Sequence, residues 1–372
     1  MRMRSLARRL ARAVYGNRYH HVPKGQRVYL RPGDRQIRRL QRAWRHRGPV
    51  VSLDDYKRDV PLGEIEEFVA CTLCGETRQQ PLYQPRGKND AWEYRVVRCP
   101  SCGFLYRNPN VRPERLGDLY TGGGYSKFLT GEYARNRQRR YRLTMDALTP
   151  ILDQGAGRRL LDFGCGTGLF LELAEERGFE CYGVDLAPDS IAQARERLRA
   201  ARVFVGSPES VPEIAAGNFD MITMWSVLAH LPRPIADLST FRDLLTPDGV
   251  LVILTVNAGS LLVAGKAGGW SGFTKNHLMF YSRETLPRLL AKCGFAGVGF
   301  APCYGDEIEA ETSRLSAKEV ELLKRRVKAT DGGNMMRAVG FATEAAMERW
   351  GRQLPELVPI RSEREHAAPR AS

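Results

Sequence analysis

From residue 146 to about 301, short apolar runs rich in β-branched residues alternate with segments of helical pattern. This alternation constrains the chain more than any other feature, because it belongs to α/β domains built on a mostly parallel sheet. "RRLLDF" reads as strand one and "GLFLELAEERG" as the following helix, ended by Gly178. "ECYGVDL" is strand two, and Pro188 opens a helix through "DSIAQARERLRA". "ARVFVG", "FDMITMWSV" and "GVLVILTVN" supply strands three to five, and "SRETLPRLLAKCGF" is one more helix with Ser282 as its N-cap.

The turn after strand one reads "LLDFGCGTG", with glycines at 164, 166 and 168. Glycine-rich turns after buried strands let a cofactor approach the backbone closely. A dinucleotide fingerprint has the spacing G-x-G-x-x-G, whereas this loop has G-x-G-x-G and is preceded by Asp162 in the strand end. A second carboxylate, Asp185, ends strand two, 17 residues after Gly168. An acid there can accept both hydroxyls of a ribose.

Four of the eight cysteines form two close pairs, "CTLCG" and "CPSCG", placing Cys71, Cys74, Cys99 and Cys102 as C-x2-C, 24 residues, C-x2-C. Two intervening residues let both thiolates of a pair face one ion, about 2.3 Å from a zinc. Gly75 and Gly103 follow the pairs and permit the positive φ that turns a knuckle. Four thiolates close the coordination sphere, so the expected zinc is structural. Disulfides are the alternative, and a reducing compartment argues against them. Cys165, Cys181, Cys293 and Cys303 are scattered and read as small apolar fillers.

Charge marks off the N-terminus. Residues 1–48 hold fifteen Lys and Arg against one acid, Asp34, a balance of +14 within the total of +15. Such an arm suits a polyanion or an anionic membrane surface, and Leu6, Leu10 and Val14 give it the spacing of a short amphipathic helix. It reads equally as a solvated arm in an arginine-rich chain, since ten of the 57 basic residues are lysine. No apolar run approaches the roughly 20 residues that span a bilayer, and the N-terminus lacks the apolar segment of a secretory signal, so a cytoplasmic location is expected. The expected organisation is a basic arm (1–66), a zinc ribbon (67–112), a helical linker (113–145) holding "YARNRQRRYRLTMDAL", the α/β domain (146–301), and a C-terminal helical extension and tail (302–372).

In their order along residues 146–300, "LLDFGCGTG", "GVDL", "FDMITMWSVLAHLPRP" and "LLTPDGVLVILTVN" resemble the class I S-adenosylmethionine-dependent methyltransferases. The resemblance implies a Rossmann-like, doubly wound sheet with S-adenosylmethionine as cofactor. Its implied binding set is Asp162, Gly164, Cys165, Gly166, Gly168, Asp185, Leu186, Ser207 and Trp225, with the loop under the methionine part, Asp185 at the ribose and Ser207 near the adenine. Where relatives read "WDVLEHL", Ser226 and Ala229 replace the two acids and His230 is retained. With the ribbon included, the chain is similar to bacterial zinc-ribbon methyltransferases that tailor sugars, polysaccharides and natural products. There a segment of the type H-x-x-x-F/Y-S precedes the last helix, matching "NHLMFYS". The sugar C-methyltransferases carry a glutamate before that histidine, and Asn276 here favours O-methylation.

The expected chemistry is in-line methyl transfer to a small-molecule or glycan acceptor. His277 is the first candidate for the base, His230 the second, and Tyr281 the candidate for positioning the acceptor. Methyl transfer from a sulfonium needs no protein thiol, so Cys165 is read as a filler of the loop. Two other readings stand beside this one. A zinc-ribbon RNA methyltransferase would use the basic arm, though strand four lacks the N-P-P-Y type ending used on base amino groups. A cofactor-binding regulatory protein without catalysis would account for the missing acids at 226 and 229.

Overall fold

The structure is a computed structural model that describes residues 49–83, 94–120, 131–147, 158–260, 263, 270, 272–301, 321, 325, 333–352 and 356–359. The basic arm to residue 48, its expected amphipathic helix and nearly all of "SAKEVELLKRRVKA" lie outside these residues. In chain order the described strands are β1 (Glu66–Glu67), β2 (Gln80–Tyr83), β3 (Val96–Arg98), β4 (Leu105–Arg107), β5 (Asn110–Val111), β6 (Arg159–Phe163) and β7 (Glu180–Asp185). They continue with β8 (Arg202–Val205), β9 (Phe219–Trp225), β10 (Leu245–Val256), β11 (Met279–Phe280), β12 (Gly297–Ala301), β13 (Met335–Phe341) and β14 (Glu356–Pro359). The chain divides into two compact units.

One unit comprises residues 112–255, 286–301 and 337–372. It holds most of an eight-stranded sheet in the order β14-β12-β13-β10-β9-β6-β7-β8. Strands β10, β9, β6, β7 and β8 run parallel, and β12 is antiparallel to both β13 and β14. The strand order reverses between β6 and β9, which makes their C-terminal ends the place where an open α/β sheet binds ligands. The parallel strands are buried on both faces, as their unbroken apolar sequences require; Leu160, Leu161, Ile222, Met224, Val250, Leu251 and Ile253 have essentially no exposed surface. Short helices connect them, including Leu169–Glu175, Pro188–Arg197 and Pro234–Leu244, the last two opened by a proline at the first turn.

The other unit comprises residues 1–111, 256–285 and 302–336. Its four-stranded antiparallel sheet has the order β11-β4-β3-β2. Three strands come from the cysteine region, and the fourth, β11, comes from the "NHLMFYS" segment some 170 residues later. Met279 pairs with Tyr106 and Phe280 with Leu105. Aromatic packing reinforces the joint, with the Phe104 ring 5.3 Å from Tyr281 and Tyr83 5.4 Å from Phe273. The helix Leu53–Asp59 is capped by Ser52 Oγ, which accepts the Asp55 amide at 3.0 Å, and its Tyr56 hydroxyl donates to the Asn108 carbonyl at 2.7 Å.

The C-terminal region holds strands beside the helical pieces read in the sequence. "EAAMERW" is helical (Glu344–Gly351), but "MMRAVGF" is β13, buried along nearly its whole length beside β10, and Glu356–Pro359 is β14. This seven-residue stretch, in which Arg337 is the one charged residue, has no alternation and so no period that separates a buried strand from a helix. Residues 297–301 likewise form β12, every residue buried.

Candidate functional site

The glycine loop occupies the C-terminal end of β6. Gly164, Gly166 and Gly168 all take positive φ, at 73°, 53° and 75°. A Cβ on Gly164 would lie 2.5 Å from Val227 Cγ2, and one on Gly168 would lie 2.9 Å from Leu198 Cδ1. Glycine is therefore needed here both for conformation and for close approach. The Gly164 and Cys165 amides bond to the Val184 carbonyl at 2.8 and 3.0 Å, hanging the loop from β7.

Asp185, at the end of β7, grips the same loop. Its Oδ2 accepts the Gly166 amide at 2.9 Å and its Oδ1 accepts the Ala187 amide at 2.8 Å. Burial raises its pKa, and the amide hydrogen bonds from Ala187 and Gly166 oppose that rise. Gly206, at φ 126°, donates its amide to the Asp185 carbonyl at 3.0 Å and so brings Ser207 beside the strand end, where Ser207 is exposed. Leu186 is 47% exposed, an unusual setting for a leucine next to an acid.

Asp162 is fully buried inside β6 and accepts the Thr223 hydroxyl at 2.6 Å. Burial pushes its pKa up to about 8, with Thr223 opposing and the charge of Asp185 adding to the rise. Cys165 points away from the loop opening; a Cβ on Gly183 of β7 would lie 2.8 Å from its Sγ. Burial holds this thiol well above its ordinary value, so it is a neutral packing group.

The end of β9 completes the site. Trp225 is buried against Phe170 (4.6 Å) and Tyr141 (4.9 Å), and its indole nitrogen has no hydrogen-bond partner among the described residues. The hydroxyl of Thr167, in the glycine loop, is also buried without a partner there. Ser226 follows in a left-handed conformation, φ 60°, with its amide donating to the Leu254 carbonyl at 2.7 Å. Backbone strain in a non-glycine residue of this kind gathers at functional sites. Next comes a short 3-10 turn, Leu228–His230, and His230 Nδ1 lies 2.8 Å from the Tyr120 hydroxyl.

The family described as "Methyltransferase domain" matches residues 133–298, which contain all of this geometry except Tyr120. This stretch is thus similar to methyltransferase domains. A ubiquinone biosynthesis O-methyltransferase of Xanthomonas campestris is 36% identical over 124 residues, 30% of this chain and 52% of that protein. The enzyme of the same description from Methylococcus capsulatus is 31% identical over 106 residues, 27% of this chain and 45% of that protein. The chain thus spans about half the length of the curated relatives it matches. A solved S-adenosylmethionine-dependent methyltransferase from Archaeoglobus fulgidus is 22% identical with a TM-score of 0.44, covering 58% of this chain and 99% of that one.

The methyltransferase domain fits its cofactor on its own chemistry. A carboxylate offers about four acceptor positions, so Asp185 keeps capacity for a ribose after taking two amides. Two buried polar atoms, Thr167 Oγ1 and Trp225 Nε1, have no partner among the described residues and are available to a ligand.

The remaining candidates lie in the other unit. The four cysteine Sγ atoms all fall within 4.8 Å of one another, with Cys71–Cys102 and Cys74–Cys99 both at 3.5 Å. A zinc at about 2.3 Å from each sulfur sets S–S edges of about 3.8 Å, so the donor set fits a tetrahedral zinc. Gly75 (φ 76°) and Gly103 (φ 78°) turn the two knuckles as their sequence position requires.

His277 also belongs to this unit, and its Nδ1 lies 2.6 Å from the Gly272 carbonyl. A carbonyl only accepts, so Nδ1 carries the hydrogen and Nε2 is the basic nitrogen of the neutral ring. Burial lowers its pKa, against the opposing hydrogen bond to Gly272. Tyr281 is buried on Phe104, and its carbonyl accepts the Ala258 amide at 2.7 Å.

Three residues important to this geometry escaped sequence reasoning. Thr223 sits one strand away from the acid it contacts, and Tyr120 lies 110 residues from His230. Arg107, inside the expected zinc ribbon, is 1% exposed and pairs with Glu66 in the interior. No helix among the described residues is long and apolar enough to cross a membrane.

Proposed function

We propose that the protein transfers a methyl group from S-adenosylmethionine to a hydroxyl of a small-molecule acceptor, in the class of sugars, glycans and secondary metabolites. The observation that carries the cofactor assignment is the Asp185 carboxylate clasping the glycine loop at the switch point of the sheet. Asp185 would hold the ribose, Leu186 would cover the adenine beside Ser207, and the loop from Gly164 to Gly168 would lie under the methionine part with Asp162 and Trp225. When bound, the cofactor supplies a methyl carbon activated by a sulfonium.

The chain's own residues orient the acceptor and take its proton. His277 is the first candidate because a carbonyl fixes its tautomer and burial keeps it neutral near pH 7, leaving Nε2 as base. His230 is the second; with Nδ1 donating to Tyr120, its Nε2 would play the same part. Asn276 in place of a glutamate, and the O-methyltransferase names of the curated relatives, support oxygen as the methylated atom.

We propose a structural zinc on Cys71, Cys74, Cys99 and Cys102, supported by the compact sulfur set. Reduced cysteines of this kind suit a cytoplasmic location. Metal content well under about one equivalent in protein purified without chelators would sink the zinc.

The functional test is transfer of labelled methyl to a panel of sugars, sugar nucleotides and phenols, with calorimetry of S-adenosylhomocysteine binding. Turnover lost in His277→Ala with binding retained supports the reading; turnover lost only in His230→Ala moves the base to His230. Failure to bind S-adenosylhomocysteine overturns the assignment.

A further inference from the structure

Beyond the base itself, the unit that carries His277 holds the residue that aims it. We infer that Arg107 is a positioning residue for His277, and that the metal held by the four cysteines keeps in place the strand from which Arg107 acts. The inference rests on His277 having the role proposed above.

Arg107 grips the His277 turn at two points. Its side-chain Nη1 donates to the Lys275 carbonyl at 2.7 Å, and its backbone amide donates to the Leu278 carbonyl at 2.8 Å. These carbonyls bracket His277. The other donors of the fork hold Arg107 itself, with Nε on the Pro109 carbonyl at 3.2 Å and Nη2 on the Glu66 carboxylate. A rigid planar fork spreads its donors over three nitrogens and so reaches three separate acceptors, whereas a lysine offers its donors from one flexible nitrogen.

The strand that carries Arg107 grows directly out of the second cysteine knuckle. Cys99 donates its amide to the Phe104 carbonyl at 2.9 Å, and Gly103 donates its amide to the Cys99 carbonyl at 3.0 Å. Leu105, Tyr106 and Arg107 then form β4, whose partner β11 begins two residues after His277. The Phe104 ring lies 5.3 Å from Tyr281, beyond the far end of β11. The cysteine cluster is thereby joined to both sides of His277 by main-chain hydrogen bonds, one guanidinium and one ring contact. The imidazole needs such support, because its Nδ1 hydrogen must stay on Gly272 for Nε2 to remain the base.

The test reads the imidazole and needs no acceptor. Full-length protein labelled with nitrogen-15 histidine gives the His277 tautomer by long-range proton–nitrogen correlation, assigned with His277→Asn. Zinc-loaded wild type should show a fixed Nδ1–H tautomer. Arg107→Lys keeps a charge for Glu66 but loses the fork, so His277 should average between tautomers while zinc content holds and S-adenosylhomocysteine affinity stays within about twofold. Should that variant fail to fold, Arg107→Gln with Glu66→Gln removes both charges together and asks the same question. Chelation should produce the same averaging, and added zinc should reverse it. A fixed tautomer in folded variants, or in metal-free protein, overturns the inference. Absent S-adenosylhomocysteine binding would fail the methyltransferase reading separately, leaving the tautomer result intact.

Discussion

The Asp185 carboxylate accepts the backbone amide of Gly166 at 2.9 Å, so the acid at the tip of one strand fixes the loop at the tip of its neighbour. Asp185→Asn replaces one acceptor oxygen with a donor that faces an amide hydrogen. Affinity for S-adenosylmethionine should fall by about tenfold or more, roughly 1.4 kcal/mol. Calorimetry reads this directly, and unchanged affinity would remove Asp185 from the ribose role.

Asp162 gives a pH prediction with a defined sign. Its pKa in the fold is about 8, above the ordinary 3.8, so the folded chain holds this proton more tightly than the unfolded chain. The associated stability is fully present below 3.8 and is lost as pH rises through about 8. Thermal stability of the cofactor-free protein should therefore fall as pH rises from 3.8 to about 8 and level off above that, and Asp162→Asn should flatten the decline. An equally steep decline in the variant would assign the effect elsewhere.

Gly164→Ala meets two penalties, a left-handed φ of 73° and a Cβ 2.5 Å from Val227 Cγ2. The first costs about 1–2 kcal/mol and stays whatever surrounds it. The second is steric, and Val227→Ala should relieve it. Denaturant melts of the single and double variants should show Val227→Ala recovering only part of the loss. Simple additivity would mean that the contact with Val227 carries no strain.

Ser226 holds φ at 60°, a left-handed conformation that costs a residue with a Cβ. Ser226→Gly should raise stability by about 1 kcal/mol, because glycine takes this region freely. Slower turnover together with higher stability would show that the hydroxyl, and not the turn alone, serves the reaction.

Much of this was legible in the sequence because it is local. The loop "LLDFGCGTG", the acid at 185 and the cysteine pairs each fall within a few consecutive residues whose spacing reflects one geometric need. The pairing of Tyr120 with His230, the burial of Arg107 against Glu66 and the recruitment of "LMFYS" to the cysteine sheet depend on tertiary folding between distant segments, and no periodicity encodes them. β13 was missed for a different reason: "MMRAVGF" is buried from Met336 to Phe341, so it lacks the polar alternation that marks a strand with one wet face.

The late arrival of β11 bears on how the chain is made. The two cysteine knuckles and three strands of their sheet are synthesised by residue 107, but the fourth strand is not synthesised until residue 280. At about 5–20 residues per second, that interval lasts roughly ten to thirty seconds. Until then β4 has an unpaired edge, which is a site for wrong association. A metal captured early by the four thiolates would hold the nascent sheet in register through that wait.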